Sequence, residues 1–344
     1  MRRLTFVFPG DLARPTGGYG YDRRIIAELR DMGWTVETLS LIGAYPFPTD
    51  RERAAAAEAF AAIPDRSLVV VDGLAFAVLP EIARTHARRL GLVGLVHHPL
   101  SHESGLNTAA IRTLHESERE ALACARAVIV TAPKTSKLVV EEFGVDAGVV
   151  TVAEPGTDRF GHALGRGDPP VLLTLGSLIE RKGHDVLIDA LKRLTDLPWR
   201  ARFVGEASDP EWAAMLRERA AGLGERVTFA GPTDNAHHEL LGADIFVLPS
   251  RYEGYGMAFT EALACGLPVV GCPVGVLPDV LRDGSGTMVP VGDVDALERA
   301  LRDLLSDPKR RAETARAAAR AGSLLPVWAE TAHRFGAALE RVAP

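Results

Sequence analysis

Residues 244–271 read DIFVLPSRYEGYGMAFTEALACGLPVVG, and this stretch decides the fold. The apolar run DIFVLP (244–249) has strand character, SRYEGYG is a glycine-rich turn, a helical pattern opens near Met257 and stops at Gly266 before Pro268, and PVVG (268–271) is a second strand. A strand, a crossover helix and a second strand make a parallel β-α-β unit.

The same rhythm extends in both directions. Towards the amino terminus, strand runs lie at LTFVF (4–8), TVETL (35–39), LVVV (68–71), LVGLV (92–96), AVIV (127–130) and VVTV (149–152). Further runs are VLLTL (171–175), ARFVG (201–205), VTFAG (227–231) and, after the opening stretch, GTMVP (286–290). Helical patterns such as DRRIIAELRDMG and DVLIDALKRL lie between them, and the alanine-rich 51–62 and 313–322 read as solvated helices. Strands alternating with helices predict an α/β fold of parallel, doubly wound sheets. The segment EPGTDRFGHALGRGDPP (154–170), dense in Gly and Pro, reads as a linker. Expected domains are therefore 1–165 and 166–325, with a last helical pattern over 326–344.

Composition narrows the function. With 344 residues, 47% hydrophobic and 24% charged, the chain is neither fibrous nor generally disordered. A net charge of −6 supplies no basic field for a polyanion, so nucleic acid is not expected as a partner. Three cysteines, Cys124, Cys265 and Cys272, include no Cys-x-x-Cys spacing and speak against a secreted disulfide framework or structural zinc. The apolar stretch 4–8 is too short for a signal-peptide core, and no run reaches the roughly 18 residues of a membrane span; the expected location is cytoplasmic.

Several constellations could carry chemistry. At the start of the helix near Met257, free N–H groups beside Gly254 and Gly256 suit an anionic or polyhydroxylated ligand. Glu253 in the turn and Glu261 eight positions on can both accept hydrogen bonds from sugar or ribose hydroxyls; the plain alternative is a solvated Glu253 and a Glu261 that only favours the helix dipole. In VLLTLGSLIERKGHDVLIDAL (171–191), the loop pair Arg181-Lys182 suits a diphosphate, although adjacent basic residues in loops usually face water. PTGGYGYDRR (15–24) is a glycine loop without the third Gly of the dinucleotide fingerprint, and a turn made for flexibility is its bland reading. His97, His98 and His102 follow the fourth strand, but no ligand spacing or second carboxylate arm supports zinc. Asp295 with Glu298 reads as a helix start with a capping-box-like Glu, and Trp328 as packing.

The Glu-x7-Glu pattern inside EGYGMAFTEALACGLPVV resembles the nucleotide-sugar motif of the retaining group 1 glycosyltransferases, family four, which includes sucrose-phosphate synthase and the phosphatidylinositol mannosyltransferases. The 171–191 segment is similar to the same family's phosphate loop, where a basic residue precedes Gly. This resemblance implies the glycosyltransferase B (GT-B) architecture of two Rossmann-like domains facing across a cleft, with donor on the second and acceptor on the first. It implies a metal-independent hexosyltransferase with no cofactor beyond its nucleoside diphosphate sugar donor. Lys182 with Arg181 would hold the diphosphate, Glu261 the ribose, and Glu253 with the backbone of Gly254, Tyr255, Gly256 and Met257 the sugar. Gly17 and Gly18 would close over donor phosphates or acceptor, and His97 would face the donor sugar. Ser177, in the turn after the first strand of this half, stands where many relatives have Arg, which places the phosphate grip on Lys182 with Arg181.

Two other readings compete: a nucleotide-sugar 2-epimerase of the same architecture, which needs acid-base carboxylates in the first domain, and a non-catalytic sugar-nucleotide-binding protein. The donor base, the sugar and the oligomeric state are not legible. A small polar hydroxyl acceptor is favoured over lipid, because THARRLG (85–91) has charge but little apolar face for peripheral membrane contact.

Overall fold

A computed structural model describes residues 2–343 apart from 104 and 283. In chain order the elements are β1 (Arg3–Pro9), α1 (Gly17–Asp31), β2 (Thr35–Leu41), α2 (Asp50–Ala62), β3 (Leu68–Asp72), α3 (Gly73–Phe76), α4 (Pro80–His86), β4 (Gly91–Val96), α5 (Thr108–Leu122), β5 (Ala127–Val130), α6 (Pro133–Glu141) and β6 (Val150–Val152). They continue with β7 (Val171–Leu175), α7 (His184–Lys192), β8 (Arg200–Val204), α8 (Pro210–Ala220), β9 (Val227–Gly231), α9 (Ala236–Leu241), β10 (Ile245–Leu248), α10 (Met257–Ala264), β11 (Val269–Gly271), α11 (Leu277–Val280) and β12 (Gly286–Met288). Three helices close the chain: α12 (Val294–Ser306), α13 (Pro308–Ser323) and α14 (Trp328–Val342). Every strand run read from the sequence is a strand.

The chain divides into two units. The first holds residues 1–14, 18–156 and 326–344, and the second 15–17 and 157–325. The expected limit at 165 thus falls inside the second unit, for a physical reason. The Arg159 guanidinium donates to the carbonyls of Gly322 and Leu325, Ala163 N donates to the carbonyl of Cys265, and the buried Asp244 carboxylate accepts from Gly167 N at 3.0 Å and Val171 N at 2.7 Å. The linker is therefore tied down along its length. In the first unit α14 seats Trp328 against Gly156, where a Cβ would lie 2.2 Å from the Trp328 amide, and the Trp328 ring packs 5.7 Å from Tyr21.

Each sheet has six parallel strands. In the first the order is β2-β1-β3-β4-β5-β6; in the second, β12-β11-β10-β7-β8-β9. Strands covered on both faces need apolar residues at every position, and β3, β4, β5 and β10 are buried throughout. Strand order reverses between β1 and β3 in the first sheet and between β7 and β10 in the second. The loops leaving such neighbours part to opposite faces and open a crevice at the strands' carboxyl ends, where ligands of open α/β sheets bind.

Two local expectations are corrected. Residues 17–24 are not a loop: α1 begins at Gly17, and the tyrosines that follow fix it, Tyr19 Oη donating to Pro9 O at 2.5 Å and Tyr21 Oη to Ala153 O at 2.8 Å. The cap of α12 is Asp293, which accepts from Ala296 N, while Glu298 pairs with Arg302 one turn on. Asp293 stands at the position before the first turn, so its carboxylate reaches the free N–H groups there.

Candidate functional site

In the second unit, the loops leaving β7 and β10 meet at the reversal of strand order. The β7 loop passes Ser177 and turns through Arg181 and Lys182 to Gly183, which holds a left-handed conformation (φ 67°). A Cβ at Gly183 would lie 2.1 Å from Pro249 O, so only glycine lets the two loops approach this closely. The β10 loop carries Ser250, Arg251, Tyr252 and Glu253 to Gly256, which precedes α10.

Three expected residues come together there. Lys182 Nζ lies 2.7 Å from Glu253 Oε1 and Arg181 Nη1 lies 3.3 Å from Oε2. Ser250 Oγ donates to Oε1 at 2.7 Å, and Arg181 also donates to the Tyr252 carbonyl at 3.0 Å. Glu253 is 5% exposed. Burial pushes its carboxyl up, but the Lys182 and Arg181 charges, with hydrogen bonds from Lys182 and Ser250, outweigh this and hold it below the ordinary range. Two cations converging on one carboxylate in a poorly hydrated setting make a place suited to an anion.

Arg251 buttresses this arrangement. Its amide donates to the Arg181 carbonyl, and its guanidinium forms a two-point pair with Asp185 (2.9 and 2.7 Å) while also reaching Glu180 O. Neither Arg251, Asp185 nor Ser250 was singled out in the sequence. Arg251 and Asp185 are 66 positions apart, and nothing local marks them as partners.

Gly256 gives α10 no side-chain cap, and because Phe259 N donates to the Gly256 carbonyl, the first-turn amides left among the described residues to meet a ligand or water are those of Met257 and Ala258. Glu261 projects from the second turn of α10, about 6 Å along the axis from Met257. Its carboxyl is pushed up to about 7 by burial and by the charge of Asp158. Among the described residues no hydrogen bond or ion pair joins Glu261 to the Lys182–Glu253 cluster.

The first unit has its own cluster at its own strand-order reversal. His97, directly after β4, places Nε2 at 3.1 Å from Asp22 Oδ1 of α1 and 3.3 Å from Asp72 Oδ2 at the end of β3. Asp22 is fully buried and Asp72 is 2% exposed. The Tyr21 ring meets His97 edge-on at 5.4 Å, and Gly18 lies against the imidazole. Burial pushes His97 down, yet the charges of Asp22 and Asp72 and their hydrogen bonds prevail and raise it to about 10; burial and the Asp72 charge raise Asp22 to about 7.

The carboxylate pair that could not be seen in the first half is therefore present, drawn from α1 and β3. Its members are also the residues among those described whose ligand atoms, all within 4.8 Å, could hold a metal ion. The other two histidines lie apart from it: His98 pairs with Glu103 at 3.0 Å and His102 with Glu142 at 2.9 Å.

Among the described residues no helix is long and apolar enough to cross a membrane. Residues 157–321 match the family model for glycosyl transferases group 1. The chain is 37% identical over 183 residues, 49% of its length and 47% of the relative, to a GDP-mannose-dependent alpha-(1-6)-phosphatidylinositol monomannoside mannosyltransferase of Mycolicibacterium smegmatis. It spans about half the length of the curated relatives it matches. In structure it is similar to sucrose-phosphate synthase from Thermosynechococcus elongatus, with TM-score 0.81 and 21% identity over 99% of both chains. Anabaena HepE in complex with UDP and glucose gives 0.79 and 19% identity over 98% of this chain and 99% of that one. These likenesses give the GT-B fold, the α/β class read from the sequence.

Proposed function

We propose, on the premise that the chain belongs through residues 157–321 to the group 1 glycosyltransferases, that it moves a hexosyl group from a nucleoside diphosphate sugar to a hydroxyl acceptor with retention at the anomeric carbon. The observation that carries this reading is the convergence of Lys182 and Arg181 on buried Glu253, at the strand-order reversal and beside the uncapped start of α10. As the sugar-phosphate bond breaks, negative charge grows on the departing diphosphate. Lys182, Arg181 and the first amides of α10 stabilise that charge without reorganising, which is where a preset electrostatic environment lowers a barrier most. In this reading the two cations do the work of a divalent metal ion, and no cofactor is required.

Ser177 lies beside the diphosphate, and Glu261 takes the ribose hydroxyls. Glu253, with the backbone of Gly254, Tyr255, Gly256 and Met257, takes the sugar. Gly17 and Gly18 border the phosphates or acceptor, and His97 serves the donor sugar. A small polar acceptor fits better than a lipid: next to α4, Arg89 is spent on His86 Nδ1 at 2.9 Å and the Phe60 carbonyl at 2.6 Å rather than held out toward a membrane. We place the reaction in the cytoplasm, where Cys124, Cys265 and Cys272 stay unpaired.

The test is thermal-shift and calorimetric screening against uridine, guanosine and adenosine diphosphate sugars, followed by transfer to hydroxyl acceptors with the anomeric configuration read by NMR. One base should bind and yield an α-linked product from an α-linked donor. Failure of all three to bind would overturn the reading. Asp22 and Asp72 favour a second reading, the 2-epimerase, since they supply first-domain carboxylates. Incubation with donor and no acceptor separates the two, because only an epimerase forms a new sugar isomer.

A further inference from the structure

Three cations stand where the β7 and β10 loops meet. Lys182 and Arg181 converge on Glu253, but Arg251 is committed to other protein groups. Why a place suited to an anion should spend its third cation in this way is a question that charge does not answer. The two loops touch in register: Gly183 meets the Pro249 carbonyl, Arg251 N donates to the Arg181 carbonyl at 2.8 Å, the Arg181 guanidinium donates to the Tyr252 carbonyl at 3.0 Å, and Lys182 reaches Glu253. The Arg251 side chain adds a second tie. Its Nη1 donates to the Glu180 carbonyl at 2.6 Å and to Asp185 Oδ1 at 2.9 Å, and its Nη2 donates to Asp185 Oδ2 at 2.7 Å. One residue of the β10 loop therefore pins two successive carbonyls of the turn 180–182, and it is anchored in turn on the first turn of α7 through Asp185.

We propose that Arg251, neutralised by Asp185, is a positioning residue for the phosphate loop: it draws the Glu180 and Arg181 carbonyls to itself and so fixes Arg181 and Lys182 where a diphosphate meets them. The inference rests on the reading of Lys182 and Arg181 as a diphosphate grip, and it assigns Arg251 a role in geometry rather than in charge.

The chemistry of the partners supports this division of labour. A carbonyl oxygen is the negative end of its peptide dipole, and two such oxygens turned on a bound diphosphate would oppose it; hydrogen bonds from Arg251 hold both oxygens on Arg251 instead. The planar guanidinium serves the Asp185 carboxylate at two points and the Glu180 carbonyl at the same time, a fork that the compact ammonium of lysine cannot reproduce. Arg251 and Asp185 are neutral as a pair. Removing both leaves the net charge around an anion unchanged, whereas removing Lys182 alters it, and this difference lets position be told from charge.

The test is calorimetric titration of inorganic pyrophosphate into the full chain at low and high salt, as wild type, Lys182→Ala, Arg251→Lys and the charge-balanced double variant Arg251→Met/Asp185→Asn. Amide hydrogen exchange over residues 176–186 is followed alongside by mass spectrometry. The double variant should bind about tenfold more weakly than wild type, by the same factor at both salt concentrations, because what it loses is position. Lys182→Ala should show a deficit that shrinks as salt rises. Arg251→Lys, which keeps the charge but not the fork, should lose about threefold, again independently of salt. Exchange over 176–186 should quicken in the double variant while β7 and β10 exchange as in the wild type. A merely structural fault would lower the binding stoichiometry and leave Kd as in the wild type, and that result would overturn the proposal. So would a deficit that shrinks with salt, which would make Arg251 a source of charge. Should the double variant fail to fold, wild-type affinity and exchange in Arg251→Lys would overturn the proposal in its place. A wild type that binds no pyrophosphate would sink the diphosphate grip and the positioning role together. Pyrophosphate results as expected, with no turnover of any sugar nucleotide, would sink the transferase reading and leave the positioning role standing.

Discussion

Replacing Glu253 by Gln removes the carboxylate between Lys182 and Arg181 while keeping its shape. At an effective dielectric constant near 20, each ion pair is worth about 4 kcal/mol before relaxation. Breaking a buried pair typically costs about 3–5 kcal/mol, because the surviving charges stay poorly solvated. Lys182 and Arg181 keep 15% and 13% exposure, so some water reaches them and the lower end applies, about 3 kcal/mol. Urea unfolding followed by tryptophan fluorescence should register this loss in the second unit, which contains Trp199 and Trp212. The same substitution takes one negative charge away from the site that an anion meets. Inorganic pyrophosphate should therefore bind the variant more tightly than the wild type, by on the order of fivefold or about 1 kcal/mol, while sugar transfer falls. Calorimetry with pyrophosphate alone separates the charge effect from any contact with sugar. Unchanged stability, or weaker pyrophosphate binding, would refute the view that Glu253 anchors the two cations.

Three further outcomes follow from the same geometry. Gly183→Ala forces a Cβ toward Pro249 O at 2.1 Å in a left-handed backbone, so nucleoside diphosphate affinity should drop at least about tenfold as the loops part, read by calorimetry. Asp244→Ala leaves the amides of Gly167 and Val171 without their acceptor and should cost about 2–4 kcal/mol in chemical denaturation, with donor affinity unchanged. Glu261, raised to about 7, gains its proton as pH falls through neutrality, and under the proposed role it should then accept ribose hydroxyls less well. The affinity ratio of ribonucleoside to dideoxyribonucleoside diphosphate should therefore shrink from pH 8 to pH 6, and Glu261→Gln should abolish that pH dependence.

The fold was legible because doubly covered parallel strands need uninterrupted apolar runs, and such runs as LVVV and AVIV admit few other readings. The strands flanking Lys182 and Glu253 were equally plain, and the residues between them had to lie at the strands' carboxyl ends. What stayed hidden depends on contacts between distant positions. Asp22 meets His97 across 75 positions, and Asp185 meets Arg251 across 66. An aspartate inside a helix pattern carries no mark of the strand end beside which it will be buried. The Gly17 helix start was hidden for a related reason: Tyr19 and Tyr21 secure it through the Pro9 and Ala153 carbonyls, and the second of those bonds spans 132 positions. The linker was seen as irregular, but its attachment to the second unit through Arg159 and Asp244 required the folded partners.

The most direct measurement is calorimetric titration of the nucleoside diphosphate matching the preferred donor into wild type and Lys182→Ala. Removing one unit of charge from the Lys182–Arg181–Glu253 cluster should cost about 2–3 kcal/mol, a 30- to 150-fold weaker Kd at low salt, with the difference shrinking as salt rises. Equal affinity in the two proteins would contradict the account.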